Sequence, residues 1–193
     1  MQKTFMKYTF LIITSAIFLI LIIHFRFSEN MLEEQQYGTF YAKTEQMIHT
    51  LETNQEELKQ LNESLDEDYL TRARAAAYVL DREGGSSMDV WQMQYLARLL
   101  NVDELHVIDE NGIIVSGSIS KYVGIDMDDH EQTRAFLTLL ESGDNAYLIQ
   151  EAQPNAAENR IMKYVGVARK RRRGIVQVGF KPTRQMEAIS RNT

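Results

Sequence analysis

Arg134 opens the run Arg134-Ala135-Phe136-Leu137, a guanidinium on an otherwise apolar helical face. Its planar fork of donors is well shaped to clamp a carboxylate. Phe136 would supply an apolar wall, since small-molecule pockets combine such walls with a few convergent polar groups. A surface salt bridge from Arg134 to Glu131 or Asp129 is the competing reading. Tyr147, Lys163 and Tyr164 are further candidates on strand-like runs. Along one of them Ile161, Lys163, Val165 and Val167 share a face, and Met162, Tyr164, Gly166 and Ala168 share the other, so only one set can line a pocket. Tyr164 beside two small residues marks the roomier face, although a packed core tyrosine accounts for it too. Ser116 and Ser118 could donate to a ligand from one strand face, and edge-strand solvation explains them equally.

Other constellations point away from chemistry. Asp126, Asp128, Asp129, His130 and Glu131 lack the alternating ligands and central glycine of a calcium loop, and acids at a helix start complement its dipole. No metal or other cofactor is therefore implied. The sequence holds no G-x-S-x-G, no H-E-x-x-H, no phosphate-binding glycine loop and no cysteine. His24, His49, His106 and His130 lie far apart, so no enzyme is expected. The sharpest charge feature is Arg169-Lys170-Arg171-Arg172-Arg173-Gly174, read as a solvated hairpin tip with Gly174 able to take a positive φ. Teichoic acid, lipopolysaccharide or lipid phosphates are the functional alternative for it.

The elements that would position these groups follow from period and punctuation. Glu104 to Asp109 and Ile113 to Ser118 are β-rich runs joined by Glu110-Asn111-Gly112, and Asn-Gly between such runs marks a hairpin. Asp128 to Leu140 reads as helix, and Ala146 to Gln150, Ile161 to Arg169 and Ile175 to Phe180 read as three more strands. Before them, Ser86 and Asp89 have capping-box spacing ahead of a short helix through Trp91, Tyr95, Leu96, Leu99 and Leu100. Trp91 is expected in the core. The sum is an α+β domain with a five-stranded antiparallel sheet.

Upstream, Ser28 to Leu80 contains no proline and one glycine, Gly38, and reads as one long helix. A heptad frame places Tyr37, Phe40, Thr44, Met47, Leu51, Asn54, Leu58, Leu61 and Leu65 at a and d, so either a coiled-coil dimer or an amphipathic helix on its own domain is expected. The stripe Tyr69, Ala73, Ala76, Ala77 and Leu80 would let the helix lie close against a sheet. Residues 8–25 carry no formal charge and are long enough to cross a bilayer. Lys3 and Lys7 precede them, while Glu29, Glu33 and Glu34 follow, which puts the N-terminus in the cytoplasm. An uncleaved signal anchor fits better than a cleaved signal peptide, because no small-x-small site closes the run. Of the formal charge of −6, Lys3, Lys7 and Arg26 fall in the first 27 residues, so the remainder carries −9. An acidic exported domain is a poor nucleic-acid partner.

Taken together, the runs Leu96 to Ser118, Tyr122 to Met127, Arg134 to Phe136 and Gln153 to Phe180 resemble the Cache (PAS-like) sensor domains of bacterial chemoreceptors, histidine kinases and diguanylate cyclases. The resemblance covers roughly residues 60–185. It implies a small ligand, an organic acid or amino-acid-like molecule, on one face of the sheet, with the long helix against the other. In amino-acid-binding members an arginine in the equivalent helix precedes aromatic residues, of which only Phe136 is present, and a strand tyrosine is followed two places on by an aspartate, where Ile149 follows Tyr147. The expected organisation is a cytoplasmic tail (1–7), a membrane anchor (8–25), a stalk and sheet-packing helix (28–80) and a sensor domain (81–193). Expected partners are a small molecule, the membrane and a second copy of the chain. A bitopic coiled-coil interaction protein with a docking domain is the rival reading. Receptors of this kind return to a cytoplasmic output domain, so the chain is expected to be the front part of a receptor or to signal through a partner.

Overall fold

The computed structural model describes residues 2–83 and 87–183. Helix α1 runs Gln2–Glu83 without interruption, Gly38 included. In the part before Leu58, Phe10–Ser28 has a mean hydropathy of 2.3 over 19 residues and is the one segment among the described residues long and apolar enough to cross a membrane. Further along, Tyr37, Phe40, Met47 and Leu51 are all exposed on the single chain.

The second compact unit begins at Leu58. Strands β1 (Glu104–Ile108), β2 (Ile114–Gly117), β3 (Tyr147–Ile149), β5 (Ile161–Ala168) and β6 (Ile175–Phe180) form an antiparallel sheet in the order β2-β1-β6-β5-β3, and the two-residue β4 (Gln153–Pro154) also pairs with β5. The β1–β2 turn is built around Asp109, whose carboxylate accepts the N–H groups of Asn111 and Ile113. Gly112, at φ 85°, takes the left-handed position that such a turn reserves for glycine.

Alternation divides the sheet into two faces. On one, Leu105, Val107, Val165, Val167, Val176, Val178 and Phe180 pack against Tyr69, Ala73, Ala76, Ala77 and Leu80 of α1. The alanines let the helix approach, and Tyr69 stacks on Phe180 at 3.8 Å between ring centroids. Helix α2 (Val90–Leu99) covers the rest of this face with Met93, Leu96 and Ala97. Its capping box is Asp89 with Gln92; of the expected pair, Ser86 lies outside the described residues. Trp91 corrects the expectation made for it, being 76% exposed. The helix carries two apolar stripes, and the slimmer one, Met93, Leu96 and Ala97, fits under the sheet, leaving Trp91, Tyr95 and Leu99 outside.

The opposite face is covered by the connection from β2 to β3. Here the expected helix from Asp128 to Leu140 is α-helical only over Glu131–Arg134 (α3) and 3-10 over Ala135–Leu140. The tighter winding eclipses residues three apart, so Phe136 and Leu139 point together onto the sheet. They meet it at Gly166, where a Cβ would lie 2.5 Å from the Phe136 ring.

The basic hairpin departs from a solvated tip at its first residue. Arg169 is buried, and its Nε donates to Asp81 Oδ1 of α1 at 2.8 Å. Asp81 Oδ2 also accepts the N–H groups of Lys170 and Arg171, which ties the hairpin to the last turns of the helix. Gly174, at φ 148°, closes the turn, and a Cβ there would lie 2.5 Å from the Ile108 carbonyl oxygen.

Candidate functional site

On the sheet face turned away from α1, strand parity brings together the polar groups of three adjacent strands. Glu104 and His106 come from β1, Tyr164 from β5 and Gln177 from β6, and all four are buried. Two glycines make room for them. A Cβ at Gly179 would lie 2.7 Å from the Tyr164 ring, and one at Gly117 would lie 2.7 Å from His106 Nδ1. Tyr164 donates its hydroxyl to Glu104 Oε2 at 2.7 Å, and His106 Nε2 lies 3.4 Å from the same oxygen. Arg160, at the rim, approaches Glu104 Oε1 at 3.5 Å and also pairs with Glu158.

Burial by itself would raise the pKa of Glu104. The hydrogen bond and charge of His106, the Tyr164 hydroxyl and the charge of Arg160 outweigh it, and the carboxyl sits below its ordinary value. For Tyr164 every large influence acts the other way. Burial, the Glu104 charge and the hydrogen bond to that carboxylate hold the phenol protonated. The pair is therefore an ionised acceptor and a fixed donor.

Above His106, Tyr164 and Gln177 lies a cavity of about 50 Å³, roofed by the loop between β4 and β5, with Glu104 behind it. Asn155 organises that loop: its Oδ1 accepts the N–H groups of Glu158 and Arg160 at 3.1 Å each, while its Nδ2 faces the hydroxyls of Tyr122 and Tyr164. Gln132 ties the loop to α3, accepting from Ala156 N–H and exchanging hydrogen bonds with Gln150. Two buried polar atoms at the site, His106 Nδ1 and Gln177 Nε2, have no hydrogen-bond partner among the described residues. Buried groups are rarely left so, and these mark where a bound polar molecule would gain most.

The residues named from sequence fall in several places. Tyr164 lines the cavity. Phe136 is fully buried beside it as the apolar filling over Gly166. Lys163 faces α1, where its ammonium pairs with Asp66 at 2.5 Å. Tyr147 is half exposed on the edge strand beneath Arg74, whose guanidinium carbon lies 5.4 Å from the ring centroid. Ser116 donates to the Met88 carbonyl, because the register shift that leaves Val115 unpaired turns it toward the helical side. Arg134 is exposed and holds Asp128, not Glu131 or Asp129, at 2.5 Å. Glu104, His106, Asn155 and Gln177 were not singled out. An acid and an imidazole two places apart in a strand, sharing a face with Gln177 and Gly179, was the available signal.

No protein-family model and no curated protein matches the sequence. Solved structures do match. The ligand-binding domain of the Campylobacter jejuni chemoreceptor Tlp3, in complex with 4-methylisoleucine, superposes with a TM-score of 0.55 at 10% identity, over 70% of this chain and 58% of that one. The V. cholerae histidine kinase DctB sensor domain gives 0.50 at 10% identity, over 74% and 60%. The fold is that of a Cache-type sensor domain. The Bacillus subtilis YkuI protein, with an EAL domain and in complex with c-di-GMP and calcium, also matches at 0.50 and 12% identity, over 72% of this chain and 37% of that one. In all three cases the match spans less than two thirds of the solved chain. At such identities the Cache likeness fixes the architecture, and the chemistry of the site rests on this chain's own residues.

Proposed function

We propose that the chain is the extracytoplasmic sensing region of a membrane receptor, and that the cavity over His106, Tyr164 and Gln177 takes a small polar molecule. The observation that carries this reading is a cavity lined by His106, Tyr164 and Gln177, in which two buried polar atoms lack a partner among the described residues and two of the three side chains are bonded to the buried carboxylate of Glu104. A domain needing only a stable core would be served as well by apolar residues there. At about 50 Å³ the closed cavity admits a ligand of very few atoms, so larger ones require the loop of Asn155 to lift. Strands β1, β5 and β6 present one face to the cavity and the other to α1. A ligand that favours one arrangement of these strands would shift how they hold the helix, by no more than its difference in affinity between the two states. The apolar segment Phe10–Ser28 would carry that shift through the membrane, with the N-terminus in the cytoplasm.

The test is thermal unfolding of the full chain in nanodiscs against a panel of small carboxylates, amino acids and amides. A true ligand at a hundred times its Kd is expected to stabilise by about 2.7 kcal/mol, and Gln177→Leu is expected to remove that effect. A panel without a stabilising member, or stabilisation unchanged in Gln177→Leu, would sink the reading. The exposed stripe of Trp91, Tyr95 and Leu99 favours a second reading, a docking module for an envelope partner, which predicts the first of those outcomes. In either case α1 is proposed to dimerise through its heptad stripe. Leu58→Asp with Leu61→Asp should then convert dimer to monomer by mass photometry, and an unchanged mass would exclude that seam.

A further inference from the structure

On the other side of the sheet a larger space opens between α1 and the open edge formed by β3 and β5. It has a volume of about 410 Å³, against about 50 Å³ for the cavity over His106 and Tyr164. That is within the range of small-molecule sites. Its floor is apolar, made by Ala77, Ala146, Val167 and Ala168, and the three alanines are what leave the space empty. Its rim is cationic. Arg74 and Arg82 of α1 and Lys170 and Arg171 of the hairpin border it, and none of the four has a carboxylate partner among the described residues.

The two acids nearby do not cancel this charge. Asp81 is turned inward to Arg169 and to the N–H groups of Lys170 and Arg171, so its charge is already matched. Among the described residues Asp144, exposed at the rim, is the one other acid that borders the groove. Both arginines are also held in place by aromatic faces, Arg74 over Tyr147 at 5.4 Å and Arg82 over Tyr78 at 5.3 Å. Stacked in this way, Arg74 keeps its edge donors available for a planar anion, whereas Arg82 gives one of its own to the Tyr78 hydroxyl. In a chain with a charge of −6, four unmatched cations around an apolar floor form a locally complementary surface for one kind of ligand.

We propose that this groove is a second binding site, for a small amphipathic carboxylate: an acid head clamped by Arg74 and Arg171, with an aryl or alkyl body lying on Ala77, Ala146 and Ala168. It shares no residue with the cavity over His106 and Tyr164, and the two sites stand or fall separately.

The full chain, methyl-labelled at alanine and embedded in zwitterionic-lipid nanodiscs, is titrated with 4-phenylbutyrate, with the uncharged 4-phenylbutyramide and with inorganic phosphate. The carboxylate is expected to shift the methyl resonances of Ala77, Ala146 and Ala168 saturably while Ala97, in the α2 core, stays fixed. The amide, and the carboxylate with Arg74→Glu plus Arg171→Glu, are expected to bind about tenfold more weakly or worse, as loss of a charge-assisted contact requires. Ala146→Leu, which fills the floor and keeps every charge, is expected to abolish binding as well. No shift with the carboxylate, equal affinity for the amide, or phosphate alone reproducing the response would overturn the proposal.

Discussion

Arg169→Ala is expected to cost about 3–5 kcal/mol, a large share of the roughly 5–15 kcal/mol that holds a domain folded. The side chains of Arg169 and Asp81 are 1% and 7% exposed and meet at 2.8 Å. Removing the guanidinium strands a carboxylate between helix and hairpin, where water cannot replace the lost partner. Asp81 also holds the backbone of Lys170 and Arg171, so the change loosens the β5–β6 connection along with the ion pair. The double change Asp81→Ala with Arg169→Ala removes both charges and is expected to recover part of the loss. Urea unfolding of the four-member cycle, followed by circular dichroism, reads the coupling directly. Because the pair is shielded from solvent, raising the salt concentration should leave the cost of Arg169→Ala nearly unchanged. A loss below about 0.5 kcal/mol would place Arg169 with ordinary surface residues.

That pair also illustrates what the amino-acid sequence could and could not convey. Five consecutive cations before a glycine read as a solvated turn, because nothing local separates Arg169 from its neighbours; its partner is 88 positions away on α1. The order of elements was legible, since each follows from short-range signals: Asn-Gly between two β runs, the alanine stripe of α1, the alternation in Ile161 to Ala168. What failed was the choice between two equally apolar faces. Trp91 belongs to a stripe as regular as that of Met93 and Leu96, and only the space beneath the sheet decides which is buried. The cavity's lining was less legible for a related reason. Arg134 and Tyr147 were attractive by residue type, whereas Glu104 and His106 sit in a run that reads as plain strand. Only the pairing of β1 with β6, and of β6 with β5, places them beside Gln177 and Tyr164. Glycine at 117, 166 and 179 is the trace of that arrangement, for each yields its space to a ring from another segment.

Glu104→Ala is expected to be comparably damaging at neutral pH, about 3–5 kcal/mol, since it removes the common acceptor of Tyr164 and His106 from a buried site. The conservative Glu104→Gln separates charge from shape. Partners hold the native carboxyl below its ordinary pKa, so the folded state prefers the ionised form. Its contribution is therefore fully present above the ordinary glutamate value of 4.5 and is lost as pH falls through the lower native value. The stability difference between wild type and Glu104→Gln should be present above about pH 5 and shrink progressively below about 4.5. Isothermal urea titrations at half-unit pH steps would read it, and a difference that grows on acidification would mean that the carboxyl is bound protonated. The same sign bears on recognition. At neutral pH the Glu104 carboxylate behind Tyr164 and His106 repels a second carboxylate, unless the acid is held at the His106 Nδ1 and Gln177 Nε2 side or brings an ammonium toward Glu104. Ligand stabilisation that survives Glu104→Gln unchanged would place the bound molecule on the first side; stabilisation lost with the charge would place a cationic group against the carboxylate.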